Sequence, residues 1–313
     1  MCSSSRHGVV VSTLLFAALM AVGLPAAAGD ASPYSLPWQL RPAAATTAVR
    51  ADTAFAFYDN AAGASGGFTA ASTLAASFKI PGTGDKWAGF APLVKLTSVS
   101  DSPPKGTGAF AIVNPIVGAT YVLSLGEGAR AGFFLGATIP VGMGGGDSPN
   151  PSITVARGAG QYARSQMDDS PFAVNDFAII PGLDFAWVGG GLTLQAEATL
   201  FELARVRGAA VEHEATKTNF TSGIHAGYFV IPLLSFGLDL RYQRWINAPF
   251  PVDKDTTGTL VDNWTIAIGP RLHIPLGGGA KIHPGIAYAQ GLDKPMRSPL
   301  DYHIVQLDVP VTF

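Results

Sequence analysis

"VQLDVPVTF", Val305 to Phe313, sets Val305, Leu307, Val309, Val311 and Phe313 on one side of an extended chain and Gln306, Asp308, Pro310 and Thr312 on the other. Successive side chains of a strand point to opposite faces, so this is a strand with one apolar and one largely polar face. It runs to the last residue, where chains ordinarily fray. A final strand is held in place when it closes a sheet on itself by pairing with the first, and that predicts a barrel.

The same period recurs upstream. "FAIIPGLDFAW" (177–187) puts Phe177, Ile179, Leu183, Phe185 and Trp187 opposite Asp184, and "LTLQAEATL" (192–200) puts five apolar residues opposite Thr193, Gln195, Glu197 and Thr199. "LSFGLDLRYQ" (234–243) and "WTIAIGPRLHI" (264–274) behave alike, and none follows a 3.6-residue period. Strands are predicted at 48–58, 68–80, 88–99, 113–125, 130–142, 174–188, 192–206, 216–230, 234–246, 262–275, 280–290 and 300–313, twelve in all. The fourth, spanning "GAFAIVNPIVGATYVLSL", reads either as one strand interrupted at Pro115 or as two. Tight connections ("GEGA", "GGG", "IPL", "LGGG" and the longer "PGTGDK") alternate with long ones at 59–67, 100–112, 143–173, 207–215, 247–261 and 291–299. Short turns on one rim and long loops on the other mark an outer-membrane barrel, with the turns periplasmic.

Composition points the same way. Charged residues are 13% of the 313, against about 25% in an ordinary globular protein, and the net charge of −2 argues against a nucleic-acid partner. Residues 1–28 have the layout of a cleaved signal peptide: Arg6, an apolar run from Val9 to Leu24, and small residues Ala26 and Ala28 before the cut. An uncleaved anchor helix is the alternative, disfavoured by Gly23 and Pro25. The only cysteine, Cys2, would leave with that segment, so the mature chain holds no disulfide and no cysteine-bound metal. Apolar residues without a later spanning helix must alternate in strands, and only helices and closed barrels satisfy their backbone groups in lipid. A β-sandwich or lipocalin-like barrel would balance its apolar face with a charged one. Here the second face is mostly Gly, Thr, Ser and Ala.

The predicted fold is all-β: a transmembrane antiparallel up-and-down barrel of about 12 strands (48–313), after the signal peptide (1–28) and an extended periplasmic segment (29–47). That segment, "GDASPYSLPWQLRPAAATT", would either trail as a tail or fold back as a plug carrying Trp38 and Arg41. Phe57, Tyr242, Trp264 and Tyr288 at the loop end, with Trp187, Tyr228 and Phe313 at the turn end, form two candidate interface belts. Candidate lumen-lining residues are Arg50, Asp52, Lys79, Lys95, Arg130, Asp184, Glu197, His225, Asp239, Arg241, Arg271, His273, His283 and Asp308. Leaving the histidines aside, six cations face five carboxylates. A strongly ion-selective pore would carry one sign, so the set reads as cross-lumen pairs, as the wall of a narrow path, or as both.

Catalysis and metal binding find little support. His225 and Ser222, three apart, point to opposite faces, and His303 faces outward without a partner. His273, His283 and Asp239 lie on neighbouring strands with no serine at a membrane-facing rim. "GASGG" matches G-x-S-x-G at Gly63, Ser65 and Gly67 but sits in a small-residue loop rather than a strand-to-helix elbow. Asp253, Asp255, Thr257 and Gly258 have EF-loop-like spacing, but Trp264 stands where the bidentate Glu is required. No enzyme activity and no cofactor are therefore expected, an outer-membrane lipid hydrolase being the remote alternative. The long loop 143–173 would fold inward as a constriction or stay outside as a binding surface.

"NPIVGATYVLSL" (Asn114, Pro115, Gly118, Tyr121) followed by "FFLGATIPVGMGGGDSP" (Pro140, Gly142) resembles a segment of the outer-membrane proteins associated with the MetA pathway of phenol degradation. The resemblance covers about a tenth of the chain, with Val141 where the family more often has Thr. It implies a transporter-like barrel for small aromatic or apolar compounds and supplies no site residues. The terminal Phe313 after alternating apolar residues also resembles the C-terminal signature read by the barrel-insertion machinery. The partners implied are outer-membrane lipids and lipopolysaccharide, that machinery and an unidentified small solute. The function implied is passive passage of that solute. The rival is a closed structural or surface-binding barrel acting through its long extracellular loops.

Overall fold

Period-2 segments with one apolar face can bury that face against a core or against lipid, and here they do the second. The computed structural model describes residues 33–60, 62–166, 169–210 and 214–313. The expected signal peptide and Cys2 lie outside the described residues, as do 29–32 of the N-terminal segment. The strand segments are β1 (Ala48–Tyr58), β2 (Gly67–Ser77), β3 (Gly89–Ser102), β4 (Ala109–Ile112), β5 (Ile116–Gly126), β6 (Ala129–Thr138), β7 (Asp176–Gly189) and β8 (Leu192–Arg205). They continue as β9 (Thr216–Ile231), β10 (Leu234–Asn247), β11 (Asp262–Leu272), β12 (Ile274–Gly277), β13 (Ala280–Ile282), β14 (Gly285–Gly291) and β15 (His303–Thr312). Helix α1 (Pro151–Ala163) and the single turns α2 (Asp169–Phe172) and α3 (Phe250–Asp253) lie in the loops.

Neighbours pair antiparallel around the whole circuit, and β1 pairs with β15 from Ala48↔Thr312 to Phe57↔His303, so the sheet closes. Segments β4–β5, β11–β12 and β13–β14 each share one stave, which makes twelve staves among the described residues. The break between β4 and β5 falls at Pro115, which has no N–H to give the ladder. The Asn114 amide there donates to the Ala173 and Asp176 carbonyls and its oxygen accepts from Gly142 N at 2.8 Å. Asn114, Pro115 and Gly142 thus tie the base of the long loop to the wall. The turn at Gly190 and Gly191, both with positive φ, is the two-residue hairpin that glycine permits. The second strand stops at Ser77 rather than running to 80, and residues 78–88 form the one long connection on the turn rim.

Alternation sorts the side chains. Leu183, Phe185, Leu135, Ile224 and Val230 are exposed on the outside, while Asp184, Asp239, Arg271 and Asp308 are buried within. Inside, Asp308 accepts from Arg50 Nε at 2.8 Å and from Arg271 Nη2 at 2.6 Å, joining β1, β11 and β15 at the closing seam. Removing one partner of a buried ion pair leaves charge uncompensated and costs about 3–5 kcal/mol. Asp308→Asn is therefore expected to lower stability by about that much, read as the urea midpoint of the folded, heat-modifiable band of refolded protein. An unchanged midpoint would show that the seam does not need this carboxylate.

Candidate functional site

The interior is occupied. Residues 33–47 do not trail from the barrel but rise into it from the turn end, reach mid-depth at Trp38–Arg41 and return to β1. Having no strand partner, this segment satisfies its backbone with side chains of the wall. Ser35 N donates to Thr193 Oγ1 at 3.0 Å, Trp38 N and Gln39 N to Asp239 Oδ2 at 3.0 and 2.8 Å, and Arg41 N to Glu197 Oε2 at 2.6 Å. Its carbonyls accept in turn: Trp38 from Arg50 Nη2 at 2.8 Å, Gln39 from Arg241 Nη1 at 2.7 Å and Arg41 from Gln195 Nε2 at 2.5 Å. Trp38 is 1% exposed, with the Arg271 guanidinium 4.1 Å over its ring. Arg41 reaches Asp184 and Glu197, both at 3.4 Å.

The long loop enters from the opposite end. Asn150 caps α1 by accepting from Ser152 N at 3.0 Å, and Ala156, Ala159, Gly160 and Ala163 bury the inner face of the helix. A side chain at Gly160 would strike Val99 on the wall, so only a small residue lets the helix seat here. Beyond its end, Arg164 Nη1 meets Asp52 Oδ1 at 2.5 Å. Gln39 Nε2 donates to Ser165 Oγ at 2.9 Å, so the two inserted segments touch at mid-barrel.

Most of the sequence-selected polar residues are therefore gathered around these insertions. Arg50, Asp52, Asp239, Glu197 and Arg241 contact the inserted segments directly; His225 places Nδ1 2.6 Å from Asp239 Oδ1 and Nε2 3.1 Å from the Ser35 carbonyl oxygen. Lys95 faces the interior. Lys79 lies past the end of β2, with its ammonium on the Asp85 carbonyl at the turn rim. Arg130 lies at the turn end against the Tyr34 and Trp87 rings. Sequence reasoning missed Arg164, whose loop had no defined direction, and Gln195 and Thr193, which are uncharged.

It also missed Ser235. That side chain is 2.8 Å from His273 Nε2; His273 Nδ1 is 2.8 Å from His283 Nδ1, and His283 Nε2 is 3.0 Å from Thr312 Oγ1. The relay resembles a nucleophile and its base, but Ser235 is 1% exposed and stands behind Ser35, off the cavity walls. It reads as a buried hydrogen-bond chain. His303 faces outward beside Tyr288 at 2.6 Å. Of the candidate interface aromatics, Tyr242 and Trp264 pack in a tilted pair with ring centres 4.7 Å apart, and Phe57, Trp187, Tyr228 and Tyr288 are exposed on the outer surface.

Two cavities among the described residues bear on the site. The larger in lining, of about 220 Å³, runs from turn-end residues Thr46, Ser77, Trp87 and Thr312 to Phe134, Ile180 and Phe201 at mid-depth, beside the N-terminal segment. Its wall is mainly apolar. The second, of about 280 Å³, opens among the loops between α1 and α3, with Tyr162, Asp169, Lys217 and Trp245 around it. An apolar cluster of Ile116, Phe134, Ala178, Ile180, Phe201 and Leu203 lies between them.

No family model and no curated protein matches the chain. Among solved structures it is similar to an outer membrane channel from Pseudomonas putida F1, with a TM-score of 0.54 and 12% identity over 92% of this chain and 100% of that one. The NanC porin aligns over 84% of this chain and 98% of its own, at 9% identity and a TM-score of 0.49. The beta domain of the Bordetella autotransporter BrkA aligns over 86% and 99%, at 11% and 0.48. The likeness to the channel shows a shared fold. With a closed ladder and an apolar exterior, this chain is a porin-like transmembrane β-barrel of the Gram-negative outer membrane, part of the cell envelope.

Proposed function

We propose that the barrel lets a small solute cross the outer membrane passively, with residues 33–47 and α1 setting its closed state. The observation that carries this is the apolar-walled cavity beside the N-terminal segment, reaching from the turn rim to mid-depth. A barrel serving only as a scaffold gains dispersion energy by filling such space. The apolar wall suits a solute with an apolar or aromatic body, in keeping with the resemblance to proteins associated with phenol degradation. Lipids and lipopolysaccharide would cover the exterior, the aromatics would sit at its two interfaces, and the strand ending at Phe313 would serve the insertion machinery. The second reading, a closed barrel acting through its loops, draws on the dense bonding around Asp239 and Glu197.

Single-channel recording separates the two. The mature chain, 29–313, is expected to give small, infrequent steps, and deletion of 33–44 larger and longer ones. A folded deletion variant that stays silent would favour the closed scaffold and sink passive passage.

The hold on the segment is itself testable. Asp239 receives two backbone N–H groups, and hydrogen bonds to a charged group contribute about 1.5–3 kcal/mol each. Asp239→Ala is expected to free the segment, so that chymotrypsin cuts after Trp38 in the folded variant at least tenfold faster than in the parent. Equal rates would mean the segment is held elsewhere.

A further inference from the structure

The inward charges that nearly cancel along the strands are not evenly shared by the cavity wall. Arg41, Arg50, Lys95, Arg164 and Arg241 line it against Asp52 and Glu197 alone. Asp239 is turned into the N-terminal segment and Asp308 into its two arginines, so neither carboxylate lines this space. Arg41 is met by Asp184 and Glu197, Arg50 by Asp308 and Arg164 by Asp52. Cationic groups thus reach the mainly apolar cavity surface while Asp184 and Asp308 stand behind it, which suits a solute that is apolar in body and negative at one end.

At the turn end stands a cation that forms no ion pair among the described residues, although Asp85 is near enough to act on its charge. Arg130, on β6, is 6% exposed, and its Nη1 is enclosed with no hydrogen-bond partner. Its guanidinium lies 5.3 Å from the Tyr34 ring and 5.2 Å from the Trp87 ring. Both rings line the cavity. The indole Nε1 of Trp87 is likewise enclosed without an acceptor. Neither donor is misplaced by a loose loop. Asp85 Oδ1 accepts from Trp87 N at 3.0 Å and Ala88 N at 2.9 Å, and the Trp87 carbonyl accepts from Ala45 N at 2.7 Å. Those N–H groups, Ala88's foremost, also hold the Asp85 carboxyl below its usual range, so the carboxylate is committed to the turn that positions Trp87. Tyr34 spends its hydroxyl on Gln195 Oε1 at 2.5 Å. Two adjacent buried donors, Trp87 Nε1 on a residue of the cavity wall and Arg130 Nη1 behind the Tyr34 and Trp87 rings, thus lack an acceptor among the described residues.

We propose that Arg130 and the Trp87 indole N–H bind the carboxylate of a small organic acid whose apolar body, one ring or a short chain, lies in the cavity. A carboxylate offers two oxygens to the two donors, and Arg is suited to its planar shape. The apolar walls at Leu36, Ala44 and Ala91 accept the body. The inference deepens the passage reading and rests on it for its meaning as transport, though the site itself can be tested without flux.

Equilibrium dialysis of the refolded mature chain in detergent, with labelled benzoate against benzyl alcohol, is the test. The two probes share a ring and differ in charge. Benzoate is expected to bind at least tenfold tighter. Arg130→Gln should erase that preference and Arg130→Lys keep part of it. Trp87→Phe, which retains a ring but loses the N–H, should reduce it severalfold. Equal binding of the two probes, or a preference that survives in folded Arg130→Gln, overturns the proposal. If Arg130→Gln does not fold, Trp87→Phe decides, an undiminished preference counting against the site. Flux into proteoliposomes separates the two readings. Benzoate bound but never transported overturns passage and leaves the site standing; benzyl alcohol transported with no benzoate bound does the reverse.

Discussion

A peptide group in hydrocarbon has no water to bond, and each one left unpaired costs several kcal/mol. That constraint governs this chain. It requires β15 to return to β1, because an open edge on either would expose a row of N–H and C=O groups to lipid. Closure in turn fixes register, since a one-residue slip would turn Leu183 and Phe185 inward and Asp184 out. The buried Arg50–Asp308–Arg271 group sits where register matters most, at the seam between the last-formed neighbours in sequence terms.

The same constraint explains why the inward face is polar in particular places. The N-terminal segment forms no ladder, yet it is enclosed, so its backbone groups need partners from side chains. Thr193, Gln195 and Glu197 are successive inward positions of β8, and Asp239 and Arg241 are successive inward positions of β10. Together they supply acceptors for N–H groups and donors for carbonyls along Ser35–Arg41. Charges that look like a lumen lining are in large part a template for an inserted chain. Gly182, Gly223 and Gly227 leave the room: a side chain at any of them would meet Arg41, Leu40 or Ser35.

The wall was legible in the sequence because strand period and lipid exposure act on every residue of a stave. Leu194, Phe236 and Ile268 announce their direction by their neighbours alone. The interior was not legible in that way. Trp38 could be placed in a tail or a plug, because a Pro-rich segment without period carries no signal of what satisfies its backbone. Arg164 and the seat of α1 depend on Gly160 meeting Val99 across the barrel, a contact between residues far apart in sequence. The pattern of inward charges could not tell which oxygens would be consumed by backbone N–H groups, nor which carboxylates would stand behind the cavity wall.

Wall and insert differ in what holds them, and this decides which can move. The β1–β15 seam is a ten-rung ladder in a medium where a broken bond finds no substitute. The N-terminal segment hangs on a handful of side-chain hydrogen bonds, each contributing about 0.5–3 kcal/mol, in an interior that can admit water and offer replacements. Displacing it exchanges partners, whereas parting the seam abandons them. A passage through this barrel must therefore open by rearranging the insert inside an unbroken wall, and the Gln39–Ser165 contact means that a shift of either inserted segment is felt by the other.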